Sequence, residues 1–238
     1  MKIDILAISV HPDDVELSCS GTISKHIAAG KKIGILDLTK GELGTRGNAA
    51  LRAKEAAVAA KILGVSFRDN LGFKDGFFQN DTAHQLKLIE KIRLYQPGII
   101  LCNAVSDRHP DHGRAAQLVS EACFYAGLIK VKTKHKGKEQ LPHRPKAVYH
   151  YIQDRFIKPD FVVDVTPFID KKMEAILAFS SQFYNPKSIE PVTPISTSDF
   201  IDFVKARMMN FGRDINVKYA EGFTVERTMG VENLFDIR

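Results

Sequence analysis

Two short clusters carry residue types that bind metals and move protons. His11-Pro12-Asp13-Asp14 directly follows the apolar run Ile3 to Val10, and His109-Pro110-Asp111-His112 follows the run Ile99 to Cys102. A catalytic zinc takes three protein ligands from imidazole and carboxylate and keeps a fourth position for water, whose proton it makes easier to remove. Consecutive side chains in an extended or turning segment point in different directions. One of Asp13 and Asp14 can therefore bind metal while the other faces the water as general base. Pro12 fixes its own φ and biases His11 toward an extended conformation, which suits a rigid turn leaving a strand. His109 and His112 are three apart, so if Pro110 opens a helix they point the same way from its first turn. Asp111 between them can orient one imidazole and hold its proton. A lone histidine near a strand end is usually only a satisfied polar group, and Asp-Asp after proline is usually a turn with a helix cap. Two such clusters, each between a strand-like run and a helix-like segment, point instead to a metal site assembled from both.

The elements that position these clusters alternate. Strands are expected over Ile3 to Val10, Lys32 to Leu38, Ser66 to Leu71 and Gly98 to Cys102, and helices over Val15 to Ala29, Ala49 to Leu63, Thr82 to Tyr95 and Pro110 to Ala126. Beyond them come strands at Ala147 to Ile152 and Phe161 to Val165, a helix from Phe168 to Phe179 and a loop holding Pro186, Pro191 and Pro194. A helix over Ser198 to Phe211, with cap candidates at Ser196 to Ser198, and a strand over Val217 to Val225 complete the chain. This pattern predicts an α/β fold, a Rossmann-like, mostly parallel sheet with helices on both faces, formed as one domain over 1–238. The clusters then fall at the carboxyl edge of the strands, where such sheets place their sites.

The 238 residues, 44% of them hydrophobic, can bury a substantial core. The sequence passes from Met1-Lys2-Ile3-Asp4 straight into a strand pattern. No stretch approaches the roughly 18 apolar residues of a membrane span. Cys19, Cys102 and Cys123 are too few and too scattered for a disulfide framework and are read as packing residues. A cytoplasmic protein, working as a homo-oligomer without membrane or nucleic-acid partners, is the expectation. The basic excess, 34 Lys and Arg against 28 Asp and Glu, includes five lysines alternating from Lys130 to Lys138. That run lacks interleaved aromatics and reads as a solvated loop, so an anionic small substrate met by arginines at the site accounts better for the charge. Gly41, Gly44 and Gly47 lie too far apart for a dinucleotide fingerprint, and the first strand-to-helix turn is already taken by His11 to Asp14. Their loop is read as a wall near the substrate, with Glu42 and Arg46 as polar contacts.

His-Pro-Asp-Asp-Val-Glu at 11 to 16, Gly21-Thr22, Leu51-Arg52 with Glu55-Ala56, and Asp107-Arg108-His109-Pro110-Asp111-His112 together resemble the zinc-dependent N-acetylglucosaminyl deacetylases of the LmbE and PIG-L family. The similarity extends to Tyr219-Ala220-Glu221-Gly222-Phe223 and is strongest to the branch that acts on N-acetylglucosaminyl malate in bacillithiol biosynthesis. The resemblance implies that His11, Asp14 and His112 bind the metal and that Asp13 activates water. It also implies that His109, paired with Asp111, is a charged imidazole stabilising the tetrahedral intermediate, and that Arg52 and Asp75 hold the sugar. Some relatives help polarise the amide carbonyl with a tyrosine at positions that here read Asp107 and Phe200. Oxyanion stabilisation is therefore assigned to metal, His109 or backbone donors.

The residue types point to a zinc enzyme, with iron(II) suiting the same ligands, and the resemblance implies that it removes acetate from an N-acetylglucosamine conjugate, first of all the malate conjugate. Arg52, Arg108 or Arg46 would meet an anionic aglycone. The alternatives are a deacetylase for another conjugate and a metal-dependent phosphoester hydrolase, which would need further metal-binding carboxylates. A non-catalytic sugar- or nucleotide-binding domain would need neither an open metal position nor the spare carboxylate.

Overall fold

The computed structural model describes residues 2–236, so that Met1 of the opening segment lies outside it. Strands β1 (Ile5–Ser9) and β2 (Ile33–Thr39) are buried at every residue, as suits mostly apolar strands covered on both faces, and the buried Asp37 of β2 is met by the Ser9 hydroxyl and the Arg68 guanidinium. Between them runs α1 (Asp14–Ala28), and after β2 come α2 (Ala49–Leu63), β3 (Phe67–Phe73), α3 (Thr82–Tyr95), β4 (Ile99–Cys102) and α4 (Pro110–Ala126). The second half holds a small hairpin, β5 (Lys134–His135) and β6 (Lys138–Glu139), then β7 (Ala147–Tyr151) and β8 (Phe161–Asp164). Helices α5 (Ile169–Leu177) and α6 (Phe200–Arg213) and strand β9 (Ala220–Val225) follow. The seven-stranded sheet has the order β3-β2-β1-β4-β7-β9-β8, with β9 antiparallel to both neighbours and the other pairs parallel.

Alternate residues of β1, with Val10 just beyond it, feed two cores. Leu6, Ile8 and Val10 pack with Leu88, Ile92, Leu118 and Ala122 of α3 and α4, whereas Ile5 and Ala7 pack with Val15, Cys19 and Ile23 of α1. Cys102 and Cys123 join the first core and Cys19 the second, all as free thiols. The chain leaves β1 toward β2 on one side and reaches β4 on the other, with Ile5 beside Ile33 and also beside Ile99. The strand order therefore reverses at β1, which opens a crevice beyond the carboxyl ends of β1 and β4.

Helix ends follow local chemistry. Asn48 and Asp81 cap α2 and α3 by accepting from the N–H of Leu51 and His84, and Gly64 closes α2 at φ 79°. Three expectations change. The lysine-rich segment is a hairpin rather than a plain loop, because Lys136 (φ 49°) and Gly137 (φ 80°) adopt the positive φ values of a two-residue turn. The expected helix from Phe168 begins instead as a 3₁₀ turn at Thr166–Phe168. Helix α6 opens after Asp199, not after Ser196 to Ser198, because the Ser196 hydroxyl is engaged with Thr193 N–H and carbonyl. No helix among the described residues is long and apolar enough to cross a membrane.

Candidate metal centre

Asp13 and Asp14 sit where β1 turns into α1, and the backbone of Asp13 takes φ 132° and ψ −23°, a strained region for a residue with a side chain. That turn separates the two carboxylates. Asp14 Oδ2 accepts from Val10 N–H (3.1 Å), His11 N–H (3.0 Å) and Asn103 Nδ2 (2.9 Å), and its Oδ1 accepts from Gln153 Nε2 (3.2 Å). Asn103 also accepts from Val10 N–H at 3.1 Å and donates to Gln153 at 3.0 Å, so the ends of β1, β4 and β7 are tied around one carboxylate. Asp13 instead faces Arg52, whose Nη2 lies 3.4 Å from its Oδ2. The same guanidinium donates to Gln182 Oε1 and to the Gly41 carbonyl.

His112, in the first turn of α4, brings Nε2 to 3.3 Å from Asp14 Oδ1. Its Nδ1 is 2.6 Å from Asp107 Oδ2, and Asp107 Oδ1 accepts from Arg155 N–H at 2.7 Å. His11 stands among three carboxylates, with Nδ1 at 3.8 Å from Asp14 Oδ2 and Nε2 at 3.0 Å from Asp75 Oδ1 and 3.9 Å from Asp111 Oδ2. The rings of His11, His109 and His112 lie mutually close, with centroids 4.7 to 5.6 Å apart.

Electrostatics divide the two aspartates. Burial pushes the Asp13 carboxyl up to about 7, against the lowering influence of Arg52. For Asp14 burial acts in the same sense, but the His112 cation and hydrogen bonds from both histidines outweigh it and hold the carboxyl well below the usual range. Burial would lower His11 and His112. Hydrogen bonds and charge from Asp14 and Asp75 nevertheless push His11 up to about 10, and Asp14 with Asp107 pushes His112 up to about 9. The carboxylates thus demand positive charge, which protons on the imidazoles supply and a divalent cation would supply instead.

One ligand atom from each of His11, Asp14 and His112 falls within 4.8 Å of the others, and so does one from each of His11, His109 and Asp111. The first set fits a metal better. Its carboxylate is ionised and held by four donors, and its second imidazole is oriented by a carboxylate behind it, as metal-bound histidines usually are. In the second set Asp111 is already engaged, with Oδ1 at 2.6 Å from Arg114 Nη1 and Oδ2 accepting from Gly76 N–H at 2.8 Å.

That engagement bears on the expected pairing of Asp111 with His109. Asp111 does not pair its carboxylate with His109; it offers only its backbone N–H, 3.3 Å from His109 Nδ1, which makes His109 the cap of α4. With Nδ1 accepting, the proton of a neutral His109 resides on Nε2. Burial, then the charges of His11 and His112, lower its pKa, against the raising charge of Asp111. Glu42 is engaged by the backbone. Its carboxylate accepts from the backbone N–H of Asp75 and Lys40, which holds the glycine loop against Asp75, and it stays outside the cavity wall.

A cavity of about 330 Å³ opens over the cluster, lined by Asp13, His109, Arg46, Arg52, Asp75 and Arg108 among others, so these expected residues are brought together. Arg46 is buried, with Nε donating to the Ser181 carbonyl, and Arg108 at the mouth pairs with Asp154 at 2.7 Å. Asp75 reaches Leu43 N–H as well as His11. Sequence reasoning missed Asn103, Asp107, Gln153, Gln182 and Arg207. Only Asp107 carried a signal, as an acid five residues before His112 within a cluster already singled out. The other four come from strand ends, a loop and a helix whose meeting no local pattern announces.

Comparison with known proteins finds relatives along most of the chain. Residues 6–123 match the family described as PIG-L: GlcNAc-PI de-N-acetylase. The diacetylchitobiose deacetylase of Thermococcus kodakarensis is 28% identical over 228 residues, covering 92% of this chain and 81% of that enzyme. A Bacillus anthracis protein described as "Probable N-acetyl-alpha-D-glucosaminyl L-malate deacetylase 2" is 27% identical over 205 residues, 75% of this chain and 81% of its own length. Among solved structures, a conserved protein from Thermus thermophilus superposes with a TM-score of 0.85 at 36% identity, covering 96% of this chain and 97% of that one.

Proposed function

The chain belongs to the PIG-L family and is a deacetylase, an amide hydrolase, and from that premise we propose that it releases acetate from N-acetylglucosaminyl malate at a zinc held by His11, Asp14 and His112. The chemistry such an ion supplies when bound is Lewis acidity toward the acetyl carbonyl and toward water. The chain's own groups do the rest. Asp13, lifted to about 7, is ionised in part near neutrality and basic enough to take a proton from the attacking water. The hydroxyl oxygen forms a bond to the acetyl carbon, and the amide C–N bond then breaks. His109, with its proton on Nε2, donates a hydrogen bond to the developing oxyanion, and the proton held by Asp13 is the one available to the departing amine. Arg52 fixes Asp13 and with Asp75 frames the space for the sugar.

The observation that carries this reading is the division of adjacent aspartates, one ionised and tied into a ligand set, the other raised toward neutrality beside the cavity. It also favours amide over phosphoester hydrolysis. The two candidate ligand sets share His11, so among the described residues they do not furnish the separate paired-metal positions that phosphoester cleavage commonly uses. The malate conjugate is preferred because the sequence resembles that branch of the family and because arginines line the cavity.

The test is metal analysis of anaerobically purified protein, with acetate release measured on N-acetylglucosaminyl malate, diacetylchitobiose and free N-acetylglucosamine. Acetate from the malate conjugate at the highest efficiency, lost on chelation and regained with zinc, is expected. Release from none of the three by zinc-loaded protein would overturn the N-acetylglucosamine reading, and preference for diacetylchitobiose would overturn the malate assignment alone.

A further inference from the structure

Helix α6 turns Val204, Met208 and Phe211 into the core. Arg207 follows Val204 by three residues and precedes Phe211 by four, so it lies on the same inward stripe, where the helical period calls for an apolar side chain. It lines the catalytic cavity, as does Phe200, seven residues earlier on that stripe. Nη1 donates to the Gln153 carbonyl oxygen.

The acids whose charge reaches Arg207 are Asp154, Asp107 and Glu221, and each is already committed. Asp154 pairs with Arg108, Asp107 with His112 and Arg155 N–H, and Glu221 with Lys172 and the N–H groups of Gly21 and Thr22. The other cavity arginines differ. Arg52 bonds Asp13, Arg108 bonds Asp154, and Arg46 lies 3.8 Å from Glu190. Among the described residues of the cavity wall, Arg207 alone is an arginine without a carboxylate at ion-pair distance. A shielded cation of this kind is costly unless an anion completes it, and its planar fork suits a carboxylate. Ser18, on α1 and lining the same cavity, has a buried hydroxyl without a protein partner, a second polar group left for a ligand.

We propose that Arg207 is a specificity-determining residue that binds a carboxylate of the aglycone, so that the substrate class is an anionic N-acetylglucosamine conjugate rather than a neutral chito-oligosaccharide. The proposal rests on the deacetylase reading above and adds to it the residue that selects the aglycone. The bidentate fork is the feature that matters, so lysine replaces it only in part.

The test compares N-acetylglucosaminyl malate with its neutral dimethyl ester on zinc-loaded wild-type protein, Arg207→Met and Arg207→Lys. The wild type is expected to prefer the diacid at least tenfold in kcat/KM, mainly through KM. In Arg207→Met the diacid-to-diester ratio falls to within twofold, and Arg207→Lys lies between. The ratio separates recognition from damage to the fold, which would lower both substrates alike. A tenfold preference surviving in Arg207→Met overturns the role of Arg207, and so does a common loss with the ratio unchanged. Equal use of diacid and diester by the wild type overturns the anionic class while the deacetylase reading stands. Acetate release from neither compound and from no other N-acetylglucosamine conjugate is the separate failure of that reading, and it removes this proposal with it.

Discussion

Asp107→Asn tests the centre at its least visible support. The Asp107 carboxylate accepts from His112 Nδ1 at 2.6 Å through one oxygen and from Arg155 N–H at 2.7 Å through the other. Asparagine has a single acceptor oxygen. Whichever way the amide turns, one donor meets an NH₂ group, and either His112 loses its orienting partner or Arg155 N–H is orphaned. A hydrogen bond to a charged group contributes about 1.5–3 kcal/mol, which is about 10- to 150-fold in an equilibrium constant. Loss of such a partner behind a metal-bound histidine typically weakens binding about 10- to 100-fold. Zinc affinity of Asp107→Asn is therefore expected to fall about 10- to 100-fold, measured by competition with a chromophoric chelator at fixed pH. Activity should recover in part at saturating zinc, because Asp13 and His109 are untouched. An affinity within threefold of the wild type, in a protein whose His112→Ala variant does lose zinc, would refute the reasoning.

Other expectations follow from the same geometry. Asp13→Asn should keep its metal and lose about 10²- to 10⁴-fold in kcat, as removal of a general base does, whereas Asp14→Ala should lose the metal; equal metal retention in the two would reverse their assignment. Because Arg52 lowers the pKa of Asp13 against the effect of burial, Arg52→Gln should move the acidic limb of the kcat/KM profile to higher pH, and an unmoved limb would show that this limb does not report Asp13. His11 and His112, pushed up to about 10 and about 9, bind protons at neutral pH that a metal displaces. Zinc binding should therefore release protons and tighten as pH rises toward 9, a result read by calorimetry in buffers of different ionisation enthalpy; binding without proton release would count against His11 and His112 as ligands. Lys172 is fully buried and donates to Glu221 at 2.7 Å and to the carbonyls of Glu16 and Leu17. Lys172→Met should leave Glu221 buried without its cation and cost about 3–5 kcal/mol in denaturant unfolding; a loss below about 1 kcal/mol would place that energy elsewhere.

The alternating α/β elements, the carboxyl-edge location of the two clusters and the residue types of the candidate ligand set are legible in the chain alone, because each is local chemistry. Continuous apolar runs of this length suit strands buried on both faces, Pro110 can open a helix but not continue one, and His11 to Asp14 are joined by the chain itself. Even the contrast between Asp13 and Asp14 is available there as a choice between two neighbours. Which one does what is not, because it depends on Asn103, Gln153 and Arg52, which arrive from the ends of β4 and β7 and from α2. The partner of each histidine is likewise open in the sequence. Asp111 is adjacent to His112 and close to His109, yet Arg114 and Gly76 take its carboxylate, while Asp107 reaches His112 from the loop before α4. Charge follows the same rule. Arg46, Arg52, Arg108 and Arg207 are equivalent letters in the chain, and only the acids that tertiary packing sets beside the first three leave the fourth without a carboxylate partner. Hydrogen bonds saturate and burial depends on distant segments, so residue identity limits what a side chain can do, and the three-dimensional neighbourhood selects which of those things it does.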